Sequence, residues 1–322
     1  MSRATGQLVV VITGASSGIG RGAAYAFAAR GDHVVLAARS AESLDEVARE
    51  CVTAGGRAVA VPTDVSDEAA VHELVRRTVE EFGRVDAWVN AAAVWSYGRF
   101  EDTPAAVFRQ IVDTTLFGQI HAARAVLPQF RSQGHGVLVN VASLYGRVSS
   151  PYVSPYVTAK WGLLGFSEVL RQETRDASDI AVCTILPGAV DTPIYRHAAN
   201  YVGRRIRPLP PVASPDRVVS AIIRAVDKPK AEIIVGQAHH LGAWAHQVVP
   251  RLYDRLVGPI VNVGALQKTP SNTHDGTVFT PDPATNRIDD GWRRHDHHRI
   301  GTVLAMAAGV FATGRLAQRR RR

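Results

Sequence analysis

The apolar run Leu8-Val9-Val10-Val11-Ile12 passes directly into Thr13-Gly14-Ala15-Ser16-Ser17-Gly18-Ile19-Gly20, and helical spacing of small and apolar residues follows through Ala23, Ala24, Phe27 and Ala28. A β-branched run of that length reads as a buried strand, so the order along the chain is strand, glycine loop, helix. Glycines at 14, 18 and 20 permit a tight turn, close approach of backbone to a pyrophosphate and close helix–strand contact. The helix N-terminus adds free N–H groups and a favourable dipole. A glycine triplet alone is weak evidence. Placed between a strand and a helix, it makes Gly14, Ser16, Ser17, Gly18, Ile19 and Gly20 candidate contacts of a dinucleotide cofactor.

Strand-length apolar runs then alternate with helix-length amphipathic segments, with strands expected at 8–13, 33–38, 58–63, 87–90, 136–142, 181–187 and 232–236. That alternation predicts an α/β fold, a single Rossmann-type doubly wound parallel sheet with helices on both faces, followed by a C-terminal extension. We expect a dinucleotide-binding catalytic domain over 1–236, a helical and loop extension over 237–290, and a basic, partly apolar tail over 291–322. The irregular stretch 194–214 interrupts the pattern and reads as a substrate lid. The Thr-, Pro-, Asp- and Asn-rich stretch 268–290 reads as a mobile loop.

Several function classes are excluded or set aside. Two cysteines, Cys51 and Cys183, stand far apart with no Cys-x-x-Cys spacing, so neither a disulfide framework nor a zinc site is expected. The net charge of +8 suggests nucleic acid until it is localised: nine arginines against three aspartates lie between Arg287 and Arg322, which leaves only about +2 elsewhere. No nucleic-acid partner is expected. His295, Asp296, His297 and His298 sit among arginines that would repel a cation, so no metal is expected. The short polar N-terminus carries no secretory signal, which points to the cytoplasm. Uncharged residues 300–314, flanked by arginines, are too short to span a bilayer; residues 299–322 read as a membrane-surface contact, as a helix packed on the body or as a disordered segment.

The second strand ends Ala37-Ala38-Arg39-Ser40. An acid at this position would bond a ribose 2′-hydroxyl, whereas an arginine accommodates a 2′-phosphate. Arg39 therefore favours NADP(H); the alternative is a solvated Arg39 with NAD(H) bound indifferently. Further on, Tyr156 and Lys160 lie four apart at the start of a helical pattern and share a face, so that an ammonium beside the phenol would lower its pKa toward working pH. Such a tyrosine serves as a general acid/base. Ser143 ends an apolar strand where its hydroxyl could hold a substrate oxygen. Tyr145 and Tyr152 are rivals for the role, but only Tyr156 has the lysine. Trp88 is expected in the core, whereas Trp95 and Tyr97 either join it or face substrate.

Taken as a set, these motifs resemble the short-chain dehydrogenase/reductase family over residues 8–236. The resemblance implies that Asp64-Val65 contacts adenine and that Asn90-Ala91-Ala92-Ala93 stands for an Asn-Asn-Ala-Gly element, with two departures to alanine. It also implies that Pro187-Gly188 and Thr192 meet the nicotinamide carboxamide, and that Tyr156 and Lys160 meet its ribose. The family adds an asparagine to a proton relay; here the motif reads Thr115-Leu116-Phe117-Gly118, and threonine lacks the amide's second donor. A dimer or tetramer through the helices after Thr115 and Tyr156 is implied likewise. The function implied is an NADP(H)-dependent oxidoreductase interconverting an apolar secondary alcohol and its ketone. The altered Asn90–Ala93 and Thr115 positions leave a low-activity dinucleotide-binding scaffold or sensor as the alternative.

Overall fold

The computed structural model describes residues 6–236 and 246–295. In chain order its elements are β1 (Val9–Thr13), α1 (Gly18–Ala28), β2 (His33–Ala38), α2 (Ala41–Thr53), β3 (Arg57–Pro62), α3 (Glu68–Phe82), β4 (Ala87–Asn90), β5 (Ser96–Tyr97) and α4 (Ala105–Val112). A π-turn, Asp113–Phe117, leads into α5 (Gly118–Gln133). Then come β6 (Gly136–Val141), α6 (Ser154–Glu173), β7 (Ile180–Pro187), α7 (Ile194–His197), β8 (Ala199–Asn200), β9 (Arg204–Ile206), α8 (Pro215–Asp227), β10 (Glu232–Val235), α9 (Pro250–Gly264) and β11 (Leu266–Pro270).

Seven strands form one parallel sheet in the order β3-β2-β1-β4-β6-β7-β10. Alternate residues of each strand serve opposite faces. Val10, Ile12, Val34 and Leu36 pack under α1, α2 and α8, while Val11, Val35, Ala37 and Trp88 pack under α3, α5 and α6. Because both faces are covered, the strands are apolar throughout and read as continuous runs rather than alternations. The chain winds outward from β1 in one direction and from β4 in the other, so the switch point lies between them. A ligand cleft opens there, at the carboxyl edge.

A chain of buried amides ties that edge together. Trp88 Nε1 donates to Asn90 Oδ1 (2.8 Å), Asn90 Nδ2 to Asn140 Oδ1 (2.9 Å), and Asn140 Nδ2 to Ser167 Oγ of α6 (2.9 Å). Asn90, Asn140 and Ser167 are fully buried, and mutual pairing offsets their desolvation.

Two small sheets fasten the stretch 194–214 to the rest: β8 pairs with β5, and β9 with β11. Arg204 donates to the carbonyls of Leu266 and Gln267, and Arg207 to those of Val263 and Gly264. The stretch 268–290, expected to be mobile, makes hydrogen bonds to the body in this structure. The Thr277 amide donates to the His197 carbonyl (2.8 Å), the Gly18 amide to the Arg287 carbonyl (2.8 Å), and Val278 is fully buried. Most residues of the stretch stay exposed, and it meets the domain at a few hydrogen-bonded points. Among the described residues no helix is long and apolar enough to cross a membrane, and no His, Cys, Asp and Glu side chains gather as metal ligands. The tail 299–322 and residues 296–298 lie outside the described residues.

Replacing Asn140 by alanine would strand the Asn90 amide and the Ser167 hydroxyl in a dry interior. We expect a loss of about 2–4 kcal/mol in urea denaturation; a loss below about 0.5 kcal/mol would mean that the network is not satisfied as drawn.

Candidate active site

The floor of the cleft is the glycine loop. Gly14 has φ of +70°, and a Cβ placed on Gly20 would lie 2.1 Å from the Gly14 carbonyl oxygen, so helix and loop meet backbone to backbone. Ser16, Ser17, Gly18 and Ile19 line it, as do Arg39, Ser40, Asp64 and Val65, Ala91, Ala92 and Ala93, and Thr192, which lies against Gly18. Gly20 serves by close packing and does not line the cleft. Burial lowers the Arg39 guanidinium's pKa, and Asp64 opposes the shift. The arrangement fits a dinucleotide: a glycine turn packed backbone to backbone at the floor, Ser16 and Ser17 along its wall, and the Arg39 cation beside Ser40.

Three residues expected at the cofactor are placed otherwise. The Asn90 side chain turns into the sheet, where it is spent on Trp88 and Asn140, and its neighbours Ala91–Ala93 face the cleft instead. Pro187 and Gly188 end β7, where Pro187 registers with Val235 and the Gly188 amide donates to the Val235 carbonyl (3.2 Å). They do not line the cleft; Thr192 alone of that element does.

Ser143 follows β6 and caps a 3-10 turn, its Oγ accepting from the Tyr145 amide (3.1 Å). Proline in the first turn of α6 pre-sets its helical φ. One turn along, Tyr156 and Lys160 present buried side chains on the same face. The Lys160 Nζ donates to the Val141 carbonyl at the end of β6 (2.8 Å) and lies 5.4 Å from the centre of the Tyr156 ring. All three residues therefore converge where β6 ends. Tyr152, between them, holds a left-handed φ of 72°, an unfavourable conformation for a bulky residue.

Electrostatics at this point differ from the expectation that Lys160 lowers the Tyr156 pKa. Trp95 stacks on Tyr156 with ring centres 4.2 Å apart, Tyr145 meets it edge-on, and Tyr195 and Tyr97 close the cluster around Trp95. Burial in these rings pushes the phenol well above its ordinary range, with the Ser143 hydrogen bond opposing. Burial also pushes the Lys160 amine down to about 7. Desolvation outweighs pair attraction because both groups sit in the same low-dielectric pocket.

Thr115 lies on the π-turn with its hydroxyl folded onto the backbone of residue 94, accepting from the Val94 amide (3.2 Å) and donating to the Val94 carbonyl (3.3 Å). Its side chain fixes the strand-to-β5 connection rather than reaching Lys160. Sequence reasoning missed Asp191, whose carboxylate accepts the amides of Asp290, Trp292 and Arg293, and missed the stretch 277–286 as part of the cleft wall. The aspartates and asparagines there were the available signal, since such residues cap turns as readily as they solvate loops.

The family model for short chain dehydrogenases matches residues 8–201. An uncharacterised oxidoreductase of Bacillus subtilis, YxnA, is 34% identical over 321 aligned positions, covering 96% of this chain and 89% of that protein, so the likeness runs through the C-terminal extension. A short-chain dehydrogenase from Streptomyces avermitilis superposes with a TM-score of 0.67 at 30% identity, over 76% of this chain and 94% of its own. An alcohol dehydrogenase from Thermococcus sibiricus, complexed with 5-hydroxy-NADP, gives 0.62 at 27%, over 71% and 96%.

The buried lysine has a measurable signature. Its folded pKa of about 7 lies below the ordinary 10.5, so between those values the unfolded chain binds one more proton than the folded one. The burial cost is full below pH 7 and is relieved as pH rises toward 10.5. We expect the wild-type melting midpoint to climb relative to Lys160→Met between pH 6 and about pH 9.5; two parallel profiles would show that the amine stays charged throughout.

Proposed function

Because the chain belongs to the short-chain dehydrogenase/reductase family, we propose that it is an NADP(H)-dependent oxidoreductase that interconverts a secondary alcohol and a ketone, with Tyr156 as general acid/base. The observation that carries this reading is the convergence of Ser143, Tyr156 and Lys160 at the end of β6, beside a glycine-cradled cleft with Arg39 at its other end.

Ser16, Ser17, Gly18 and Ile19 would hold the pyrophosphate, Asp64 and Val65 the adenine, and Thr192 the nicotinamide end. A nicotinamide dinucleotide bound there supplies and accepts the hydride. The chain's own part is positioning and proton transfer. Ser143 holds the substrate oxygen and Tyr156 delivers a proton to it in reduction or removes one in oxidation. Lys160, whose amine titrates near 7, orients the ribose and becomes a charged partner for the phenol on protonation. The rings of Trp95, Tyr97 and Tyr195 around Tyr156 support an apolar substrate. Arg39 supports NADP(H), because a guanidinium at the end of β2 pairs with a phosphate where an acid would repel it.

The same reading makes the protein a homo-oligomer through α5 and α6, where Phe117 just before α5 and Trp161 and Val169 on α6 stand about half-exposed. It also keeps residues 299–322 as a membrane-surface contact.

In nucleotide titrations by fluorescence, Arg39→Ala should weaken NADPH by about tenfold or more with little change for NADH; equal effects on both would argue against the 2′-phosphate role. With a panel of ketones, Tyr156→Phe should cut turnover about 10²–10⁴-fold while leaving nucleotide affinity unchanged. Tight binding with no turnover of any ketone or alcohol by the wild type would instead favour a scaffold.

A further inference from the structure

Residues 274–295 form a strap along one wall of the cleft. At one end it latches onto Arg39, whose Nη1 donates to the carbonyls of Val278 (2.9 Å) and Phe279 (3.1 Å) and whose Nη2 donates to that of Thr277 (2.6 Å). In the middle, Asn286 donates to Ser43 Oγ (2.8 Å) and its carbonyl accepts from Arg21 (2.9 Å). At the other end the buried Asp191 carboxylate takes three strap amides at 2.9–3.1 Å, and Asp290, whose side chain is buried, pairs with Arg196 and with Arg287 (2.7 Å). The inner side of the strap presents Thr277, Asp282 and Asn286 to the same cleft that Arg39 and Ser40 line.

We propose that this strap is the cofactor-selecting element of the dinucleotide site: by holding Arg39 on its own carbonyls, it sets how strongly the site prefers a dinucleotide that carries a 2′-phosphate. The inference rests on the reading of the cleft given above. A guanidinium has five N–H donors, and the latch commits donors on both terminal nitrogens to neutral carbonyls. A phosphate is the stronger acceptor, because charge-assisted bonds are about twice as strong as neutral ones. A 2′-phosphate therefore collects its full share of Arg39 only by detaching the latch, and its apparent affinity is reduced by the cost of opening. A dinucleotide with a free 2′-hydroxyl makes no claim on those donors and leaves the latch closed. The Asp282 carboxylate on the same wall acts in the same direction, since it repels a phosphate and tolerates a hydroxyl. The strap thus lowers a preference that Arg39 alone would make steep.

Gly276 provides the test. Its φ is +55° and a Cβ would lie 2.1 Å from the His197 carbonyl oxygen, so Gly276→Ala must lift the turn that carries the latch. Asp290→Asn loosens the opposite end by removing the charge between Arg196 and Arg287. Kd for NADPH and for NADH is measured by fluorescence titration in wild type and both variants, alongside hydrogen exchange of residues 276–279 in wild type with each nucleotide. We expect the NADPH-to-NADH affinity ratio to rise about tenfold in both variants, equivalent to roughly 1.4 kcal/mol. We also expect NADPH, but not NADH, to speed exchange at 276–279. An unchanged or lower ratio, or faster exchange with neither nucleotide, while wild type binds NADPH overturns the strap's role and leaves the cofactor reading standing. Wild type that binds neither nucleotide overturns both. The exchange experiment needs no variant, so it decides the matter even where a substitution prevents folding.

Discussion

The Gly14 carbonyl and the Gly20 backbone touch with no side chain between them, and the position of α1 follows from that contact. A helix held that close to β1 directs its N-terminus at the carboxyl edge of the sheet and lays Ala23, Ala24, Phe27 and Ala28 onto Val10 and Ile12. α8 and α2 then pack beside it on the same face. On the other side of the switch point, β4 and β6 are locked by the Trp88–Asn90–Asn140–Ser167 chain, which carries the order from the sheet into α6. The two devices meet at one edge. One makes a cradle for phosphates and the other fixes the helix that bears Tyr156 and Lys160.

That same edge concentrates buried polar groups where dispersion and desolvation compete. Trp95 on the face of Tyr156 contributes packing and an apolar surface, but it also removes water from the phenol and, through the surrounding cluster, from the Lys160 amine. The phenol is held in its neutral form, and the Lys160 amine, pushed down to about 7, changes between neutral and charged forms near neutral pH. Perturbed neighbouring titrations of this kind characterise sites organised for proton transfer. The stability cost of the lysine at low pH is the thermodynamic counterpart of the same arrangement.

How much of this was legible in the sequence depends on whether the responsible contact leaves a periodic trace. The seven strands of the main sheet appear within a residue of their expected bounds because a fully covered parallel strand writes itself as an apolar run. Ser143, Tyr156 and Lys160 were legible because helix and strand periods fix their relative positions once the elements are placed. The Asn90 and Thr115 side chains were not, since a polar residue near a site has the same spacing whether it faces the cleft or, as here, satisfies a neighbour's backbone or amide. The strap was least legible of all. It holds the body largely through carbonyls of residues 277–279, 286 and 287, groups that every residue possesses, and its aspartates and asparagines read equally well as a solvated loop.

Asp191 joins these levels. It lies one residue before Thr192, at the end of the segment that follows β7, and it accepts three amides of the strap while Asp290 of the strap reaches back to Arg196 on α7. Trp292 of the strap in turn packs on Tyr195, the aromatic neighbour of Trp95. The strap therefore touches Arg39 at one end of the cleft and the rings around Tyr156 at the other. Both contacts are made by one continuous stretch of backbone held at a few points. One segment outside the sheet and its helices thus borders both Arg39 and the aromatic rings around Trp95.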